Sequence, residues 1–283
     1  MKRLIVTACV AVLVICQMAS AQTPQPPKML QVSPAATVTQ TIGLTDITIN
    51  YHRPGVKGRE IWGKLVPYKE VWRSGANNAT TISFSDDVTI GGKVLKAGMY
   101  SFFTLPTEND WTVIFNSVAD QWGAYSYDST KDILRFGVKA EVAPLEEWLS
   151  YSFSDLTVNS VKITLRWEKL AVAFTVSTNT DDNFTKQMKA AASQAGAYAR
   201  YSLDTQSNPD TALEAVAKAI ALNPSYGNYA LKANLLAAKE QWGDAVRTAE
   251  EALKIGKEQK ANTAALEKSL AEWKDKAKSS GRK

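Results

Sequence analysis

Period-two alternation of apolar and polar residues dominates the chain from Ala35 to about Thr180, for example at Ile47, Ile49, Tyr51 and again at Trp111, Val113, Phe115. A strand with one buried face produces this pattern, because successive side chains point to opposite sides of the sheet. Runs at 79 to 84, 88 to 95 around Gly91-Gly92, 98 to 105, 133 to 142 and 147 to 155 add to it. Val161, Ile163, Leu165, Trp167 and then Leu170, Val172, Phe174, Val176, separated by Glu168-Lys169, read as a hairpin. The expectation is nine or ten short strands in an all-β sandwich or barrel-like domain.

After Thr178-Asn179-Thr180 the period lengthens. Phe184, Met188, Ala191, Ala195, Tyr198 recur at helical spacing, and four further stretches follow, led by Leu213, Leu231, Val246 and Leu266. Five helices are predicted, with Asn208-Pro209 and Asn223-Pro224 as breaks. Small residues at Ala212, Ala219, Ala233, Ala245 and Ala252 suit close helix crossings and resemble the tetratricopeptide repeat, although Lys232 and Lys257 depart from its pattern. The fold class is therefore multidomain, a β domain over 35 to 180 and a helical tetratricopeptide-like domain over 181 to 283.

The first residues change where this fold is expected to work. Lys2 and Arg3 precede an apolar run from Leu4 to Cys16, and Ala19-Ser20-Ala21 offers a small-x-small cleavage site, so residues 1 to 21 read as a secretory signal peptide. Residues 22 to 34, QTPQPPKMLQVSP, read as a proline-rich linker. Both cysteines, Cys9 and Cys16, fall in the signal segment, so the mature chain is expected to lack disulfides and thiolate chemistry. Ile15 before Cys16 is too bulky for a lipoprotein signal. The expected location is outside the cytoplasm, with no transmembrane segment in the mature chain.

Charge narrows the chemistry. Residues 22 to 180 balance 15 basic against 15 acidic side chains, while 181 to 283 carry 16 and 13. That balance gives a nucleic-acid partner little support. Within the neutral domain, residues 53 to 73 concentrate Arg53, Lys57, Arg59, Lys64, Lys69 and Arg73 against only Glu60 and Glu70, interleaved with Trp62, Tyr68 and Trp72. Guanidinium forks grip oxyanions and indole faces stack on flat surfaces, so this stretch suits carboxylates, phosphates or sugars. The alternative is that the same arginines bond carboxylates and backbone carbonyls to hold a long loop on the domain. Small residues at 74 to 76 let the backbone approach a ligand, and Asn77 and Asn78 carry both donors and acceptors. The candidate ligand-binding residues are His52, Arg53, Arg59, Trp72, Arg73, Asn77 and Asn116.

No catalytic residue is assigned. His52 is the single histidine, which leaves too few imidazoles for a common zinc enzyme, and no metal or cofactor is expected. Ser74 is the nearest hydroxyl in sequence to His52 but lacks a nucleophile-elbow context. Paired carboxylates remain the enzymatic route, since a glycoside hydrolase needs only two acids across a cleft. Nothing selects a pair among Asp86, Asp87, Asp120, Asp128, Asp132, Glu146 and Glu147.

Tyr51-His52-Arg53-Pro54, Gly58-Arg59, Trp72-Arg73-Ser74-Gly75-Ala76-Asn77, Ala97-Gly98-Met99-Tyr100, Ile114-Phe115-Asn116 and Trp122-Gly123-Ala124 together resemble the DUF2911 family. The resemblance covers residues 30 to 178. It implies an exported β-rich domain of unknown function from a Bacteroidetes-type bacterium, periplasmic or surface-associated, and carries over no catalytic residue. The functional expectation is a non-catalytic binding or scaffolding protein whose β domain engages an anionic or glycan-type ligand or a partner and whose helices bind protein. The alternative is a carboxylate-dependent hydrolase acting on glycans or peptidic envelope substrates.

Overall fold

The computed structural model describes residues 30 to 280; the expected signal peptide over residues 1 to 21, with Cys9 and Cys16, and most of the expected linker lie outside the described residues. Nine antiparallel strands come first: β1 (Ala35–Ile42), β2 (Thr45–His52), β3 (Thr80–Phe84), β4 (Val88–Ile90), β5 (Lys93–Leu95), β6 (Gly98–Leu105), β7 (Asp110–Asn116), β8 (Asp132–Ser154) and β9 (Ser160–Ser177). Their order across the sheet is β1-β2-β3-β6-β7-β8-β9-β4-β5. The first part of β8 pairs with β7 and its later part with β9, so one long strand belongs to both layers of a sandwich. Between the layers lies one continuous core. Tyr51 meets Tyr151 edge-on with ring centroids 4.8 Å apart, and Phe102 stacks on Phe174 at 5.6 Å.

Two features of β8 and β9 depart from the expected short strands. The runs expected at 133 to 142 and 147 to 155 fall on the single strand β8, which ends at Ser154 and has register shifts between Val142 and Ser150. The expected hairpin at Glu168-Lys169 is also a single strand. Its buried positions are odd-numbered at Val161, Ile163, Leu165 and Trp167, then even-numbered at Val172, Phe174 and Val176. Glu168 takes a positive φ of 54° at the change of parity. An irregularity of this kind adds a residue and keeps the same face buried, whereas a turn would reverse the chain. Gly91-Gly92, by contrast, is a true two-residue hairpin loop: Ile90 pairs with Lys93, and both glycines have positive φ, 56° and 76°.

Five helices follow: α1 (Thr180–Asp204), α2 (Pro209–Leu222), α3 (Tyr226–Ala238), α4 (Trp242–Glu258) and α5 (Ala264–Ser280). Alanines 199, 212, 219, 233, 245, 249 and 252 are fully buried, so close backbone approach rather than large side chains sets the helix crossings. The expected apolar face of α1 is a correction. Phe184 and Tyr198 are 54% and 40% exposed, while Ala192, Ala199 and Ser202 face inward. Larger residues on that inner face would hold α2 away.

A polar joint connects the two parts. Asn183, buried near the start of α1, donates to Thr45 Oγ1 at 3.1 Å and Thr178 Oγ1 at 3.0 Å. Thr180 donates through Oγ1 to the Val158 carbonyl at 2.8 Å and through its backbone nitrogen to Asn159 Oδ1 at 3.1 Å. Gly43, with φ 58°, lies so close that an added Cβ would sit 2.9 Å from Thr180 Cβ and nearer still to its Oγ1. Gly43→Ala is therefore expected to cost about 1–2 kcal/mol from the left-handed backbone alone. It should also open the joint, read as a lower melting temperature and faster proteolytic cleavage between residues 178 and 183.

Candidate functional site: a cationic cavity walled by indoles

The loop between β2 and β3 is pinned across one end of the sandwich by backbone bonds. Val56 donates to Glu147 O at 2.8 Å and Leu149 to Pro54 O at 3.0 Å, which lays residues 54 to 56 on β8. Trp72 and Thr104 exchange two bonds of 2.8 and 2.9 Å, fixing the far end of the loop on β6. Ser74 and Asn77 then turn with positive φ, 53° and 56°. The Ser74 turn is tightly held. Its Oγ donates to Thr104 Oγ1 at 3.0 Å, and its carbonyl accepts from Thr80 Oγ1 at 3.0 Å and from Tyr151 Oη at 2.8 Å. Complete burial pushes the Tyr151 phenol well above its ordinary value, so this strut stays a donor. Ser74 itself is fully buried, which removes it as a solvent-facing nucleophile.

Four indoles pack together, Trp62 and Trp72 from the loop, Trp111 from β7 and Trp167 from β9. Trp62 lies 5.0 Å from Trp111 and 5.8 Å from both Trp72 and Trp167, and Trp72 stacks on Trp167 at 5.9 Å. Two of their N–H groups are satisfied: Trp72 Nε1 donates to Gly75 O at 3.2 Å and Trp111 Nε1 to Thr107 O at 3.1 Å. Trp62 Nε1 and Trp167 Nε1 are buried without a partner among the described residues. Such an orphaned group costs about 1–3 kcal/mol.

Above the indoles opens a cavity of ≈ 320 Å³ whose lining includes Lys57, Arg59, Trp72, Arg73, Asn77 and Trp167. Among the described residues its lining carries three cations and no carboxylate. Arg59 uses two nitrogens on its own loop, Nε to Val56 O at 3.1 Å and a terminal nitrogen to Gly55 O at 2.6 Å. Lys57 Nζ sits 5.5 Å from the Trp148 ring centre. Arg73 is different. Its guanidinium makes no hydrogen bond and no ion pair among the described residues, and its Nε is buried and unpartnered. An unpartnered guanidinium can still make charge-assisted hydrogen bonds, which are about twice as strong as neutral ones.

Of the seven candidate residues, Arg59, Trp72, Arg73 and Asn77 line this one cavity. Asn77 faces it from the linker side, donating to Ser33 O at 3.3 Å and Gln31 Oε1 at 3.4 Å. Three lie elsewhere. Arg53 is spent on structure, donating to the carbonyls of Leu149 at 2.8 Å and Trp148 at 3.3 Å. Asn116 is buried at the end of β7, where it bonds Asp128 O, Asp132 Oδ1 and the Val118 nitrogen at 2.8 to 3.0 Å. Partial burial lowers the pKa of His52, which lines a neighbouring pocket. The structural reading of the basic loop thus holds for Arg53 and for part of Arg59, through backbone carbonyls rather than carboxylates.

Trp167 and Lys57 join the cavity without having been singled out. Trp167 carries the pattern of a core strand residue, and only its unbonded N–H beside the cations separates it from one. The described residues contain no group of three or more histidines, cysteines or carboxylates placed to hold a metal ion.

No curated protein and no solved structure matches the chain. A family model described as protein of unknown function (DUF2911) matches residues 33–176, which include every strand from β1 to β8, β9 up to Val176, the whole loop and the cavity's cations. Because that match spans just over half of the 283 residues, the chain belongs to the DUF2911 family.

Proposed function

We propose that this protein is an exported, non-catalytic binding protein whose β domain captures a small ligand through an oxyanion, carboxylate or phosphate, in the cavity over Trp72 and Trp167. The observation that carries the reading is Arg73, a guanidinium without a partner, in a cavity whose lining among the described residues holds two further cations and no acid. A charged hydrogen bond in a partly desolvated site is about twice as strong as a neutral one, so an anion gains here what the free protein leaves unmade. Exposed Trp122 and Tyr125 extend the site toward a sugar ring. Gly123, between them, would place a Cβ 3.1 Å from a terminal nitrogen of Arg73. Aromatic faces at the rim of a cationic cavity fit an acidic sugar.

Hydrolysis by paired carboxylates, the alternative, finds no acid in this cavity's lining. The signal-like N-terminus supports export to the periplasm or cell envelope. No helix among the described residues is long and apolar enough to cross a membrane. The helices, read as tetratricopeptide-like, serve in this account as a protein-docking surface, supported by the outward Phe184, Tyr198 and Tyr201 on α1.

Calorimetric titration with glucuronate, glucose, acetate and inorganic phosphate tests the anion reading. Glucuronate should bind at least tenfold more tightly than glucose, which has the same ring without the carboxylate. Equal affinity for the two sugars, or heat from none of the three anions, would remove the reading.

A further inference from the structure

The two ends of the sheet are built differently. At one end, β5 has only three residues and carries Lys93. Shortness and a lysine both keep an open strand edge from pairing with another chain. At the other end, β1 has eight residues, AATVTQTI, with no charge, no proline and no break in its register against β2. Among the described residues β2 is its one neighbour in the sheet.

The alternation of an antiparallel pair decides which backbone groups of β1 are left over. Ala35 pairs with His52, and one residue further out the Arg53 nitrogen donates to Pro34 O at 2.9 Å. Even-numbered residues therefore bond across to β2, and the N–H and C=O groups of Ala35, Thr37, Thr39 and Thr41 point to the open edge. Thr41 fits this assignment, since its carbonyl is taken by a side chain, Gln40 Nε2, at 2.9 Å. All four of these odd-numbered residues are exposed.

We propose that β1 is the interface of a homodimer, in which the open edges of two copies pair antiparallel about a two-fold axis and join their sheets. A strand on a two-fold axis meets itself reversed, so it must be its own complement. β1 meets that condition. Pairing brings no like charges together, and odd-numbered residues face odd-numbered ones, which sets threonine against threonine across the axis, a favourable cross-strand pair. The segment just ahead of β1 is a poorer occupant, because Pro24, Pro26 and Pro27 have no N–H to give a ladder. The inference does not rest on the anion cavity, whose lining includes no residue of β1.

Analytical ultracentrifugation of the mature chain, residues 22 to 283, should show a monomer in equilibrium with a dimer. Thr39→Pro removes an N–H that β2 does not use, at an edge position where proline is tolerated, and Thr39→Lys sets like charges near the axis. Each should weaken association by at least about tenfold. Should Thr39→Pro fail to fold, Thr39→Lys alone decides. Amide exchange locates the contact: with rising protein concentration the N–H groups of Thr37, Thr39 and Thr41 should slow markedly, and those of Val38 and Gln40, already bonded to β2, far less. The proposal is overturned if the parent stays monomeric, if the folded variants dimerise as tightly as the parent, or if the slowing does not follow the odd-numbered residues.

Discussion

Arg73→Ala should lower affinity for glucuronate by 10- to 100-fold while moving the melting temperature by no more than about 1–2 °C. The first half follows from losing a charge-assisted hydrogen bond, about 1.5–3 kcal/mol, at about 1.4 kcal/mol per tenfold. The second half follows from what Arg73 does not do. Its guanidinium bonds nothing among the described residues, and removing it takes an unpaired buried Nε with it. Most arginines in the loop would behave otherwise: Arg53→Ala frees two backbone carbonyls of β8 and should destabilise without selective loss of binding. A large fall in melting temperature for Arg73→Ala, with glucuronate affinity intact, would make Arg73 a structural residue.

Trp111→Ala is the substitution expected to damage the fold most. The ring is 1% exposed, meets Trp62 at 5.0 Å and Trp72 at 6.2 Å, and anchors its N–H on Thr107 O. Deleting a buried tryptophan costs about 3–5 kcal/mol, from lost transfer energy and from the cavity left behind. In a domain of this size that corresponds to a fall in melting temperature on the order of 10 °C. Because Trp111 supports Trp62 and Trp72 from below, anion affinity should fall with it, unlike the separation expected for Arg73. Differential scanning calorimetry of the variant checks the first effect; a loss under 1 °C would mean that the indole cluster is not the support described.

Much of the architecture was legible because burial imposes its period on the sequence. Alternation at Ile47, Ile49 and Tyr51 marks a half-buried strand, and Gly91-Gly92 marks a turn that other residues would strain. The misreadings share a cause. At Glu168-Lys169 a change in parity looks like a reversal, since sequence shows which face is apolar but not whether the chain turned or inserted a residue. On α1, large apolar residues promised a buried stripe, but the face that packs on Ala212 and Val216 of α2 is the one that carries the small Ala199.

The candidate site was half legible for a related reason. Composition located a cationic, aromatic loop, but it could not separate Arg53, which bonds backbone, from Arg73, which bonds nothing among the described residues. Partners are a property of three-dimensional neighbours. Trp167 comes from β9, about a hundred residues downstream of the loop it underlies, and the orphaned N–H that makes it interesting has no trace in the sequence.

The most direct test of the anion site watches the orphaned donors themselves. In a ¹H–¹⁵N spectrum of the tryptophan indole groups, Trp167 is assigned by the signal lost in Trp167→Phe, a change that removes no hydrogen bond from the free protein. Titration with glucuronate should shift the Trp167 signal in a saturable way, as the anion held by Arg73 settles in the cavity that the Trp167 ring lines. The signals of Trp72 and Trp111, already bonded to Gly75 and Thr107, should move far less. A Trp167 signal that stays in place through glucuronate saturation, or that shifts equally with sodium chloride at the same ionic strength, would contradict the account.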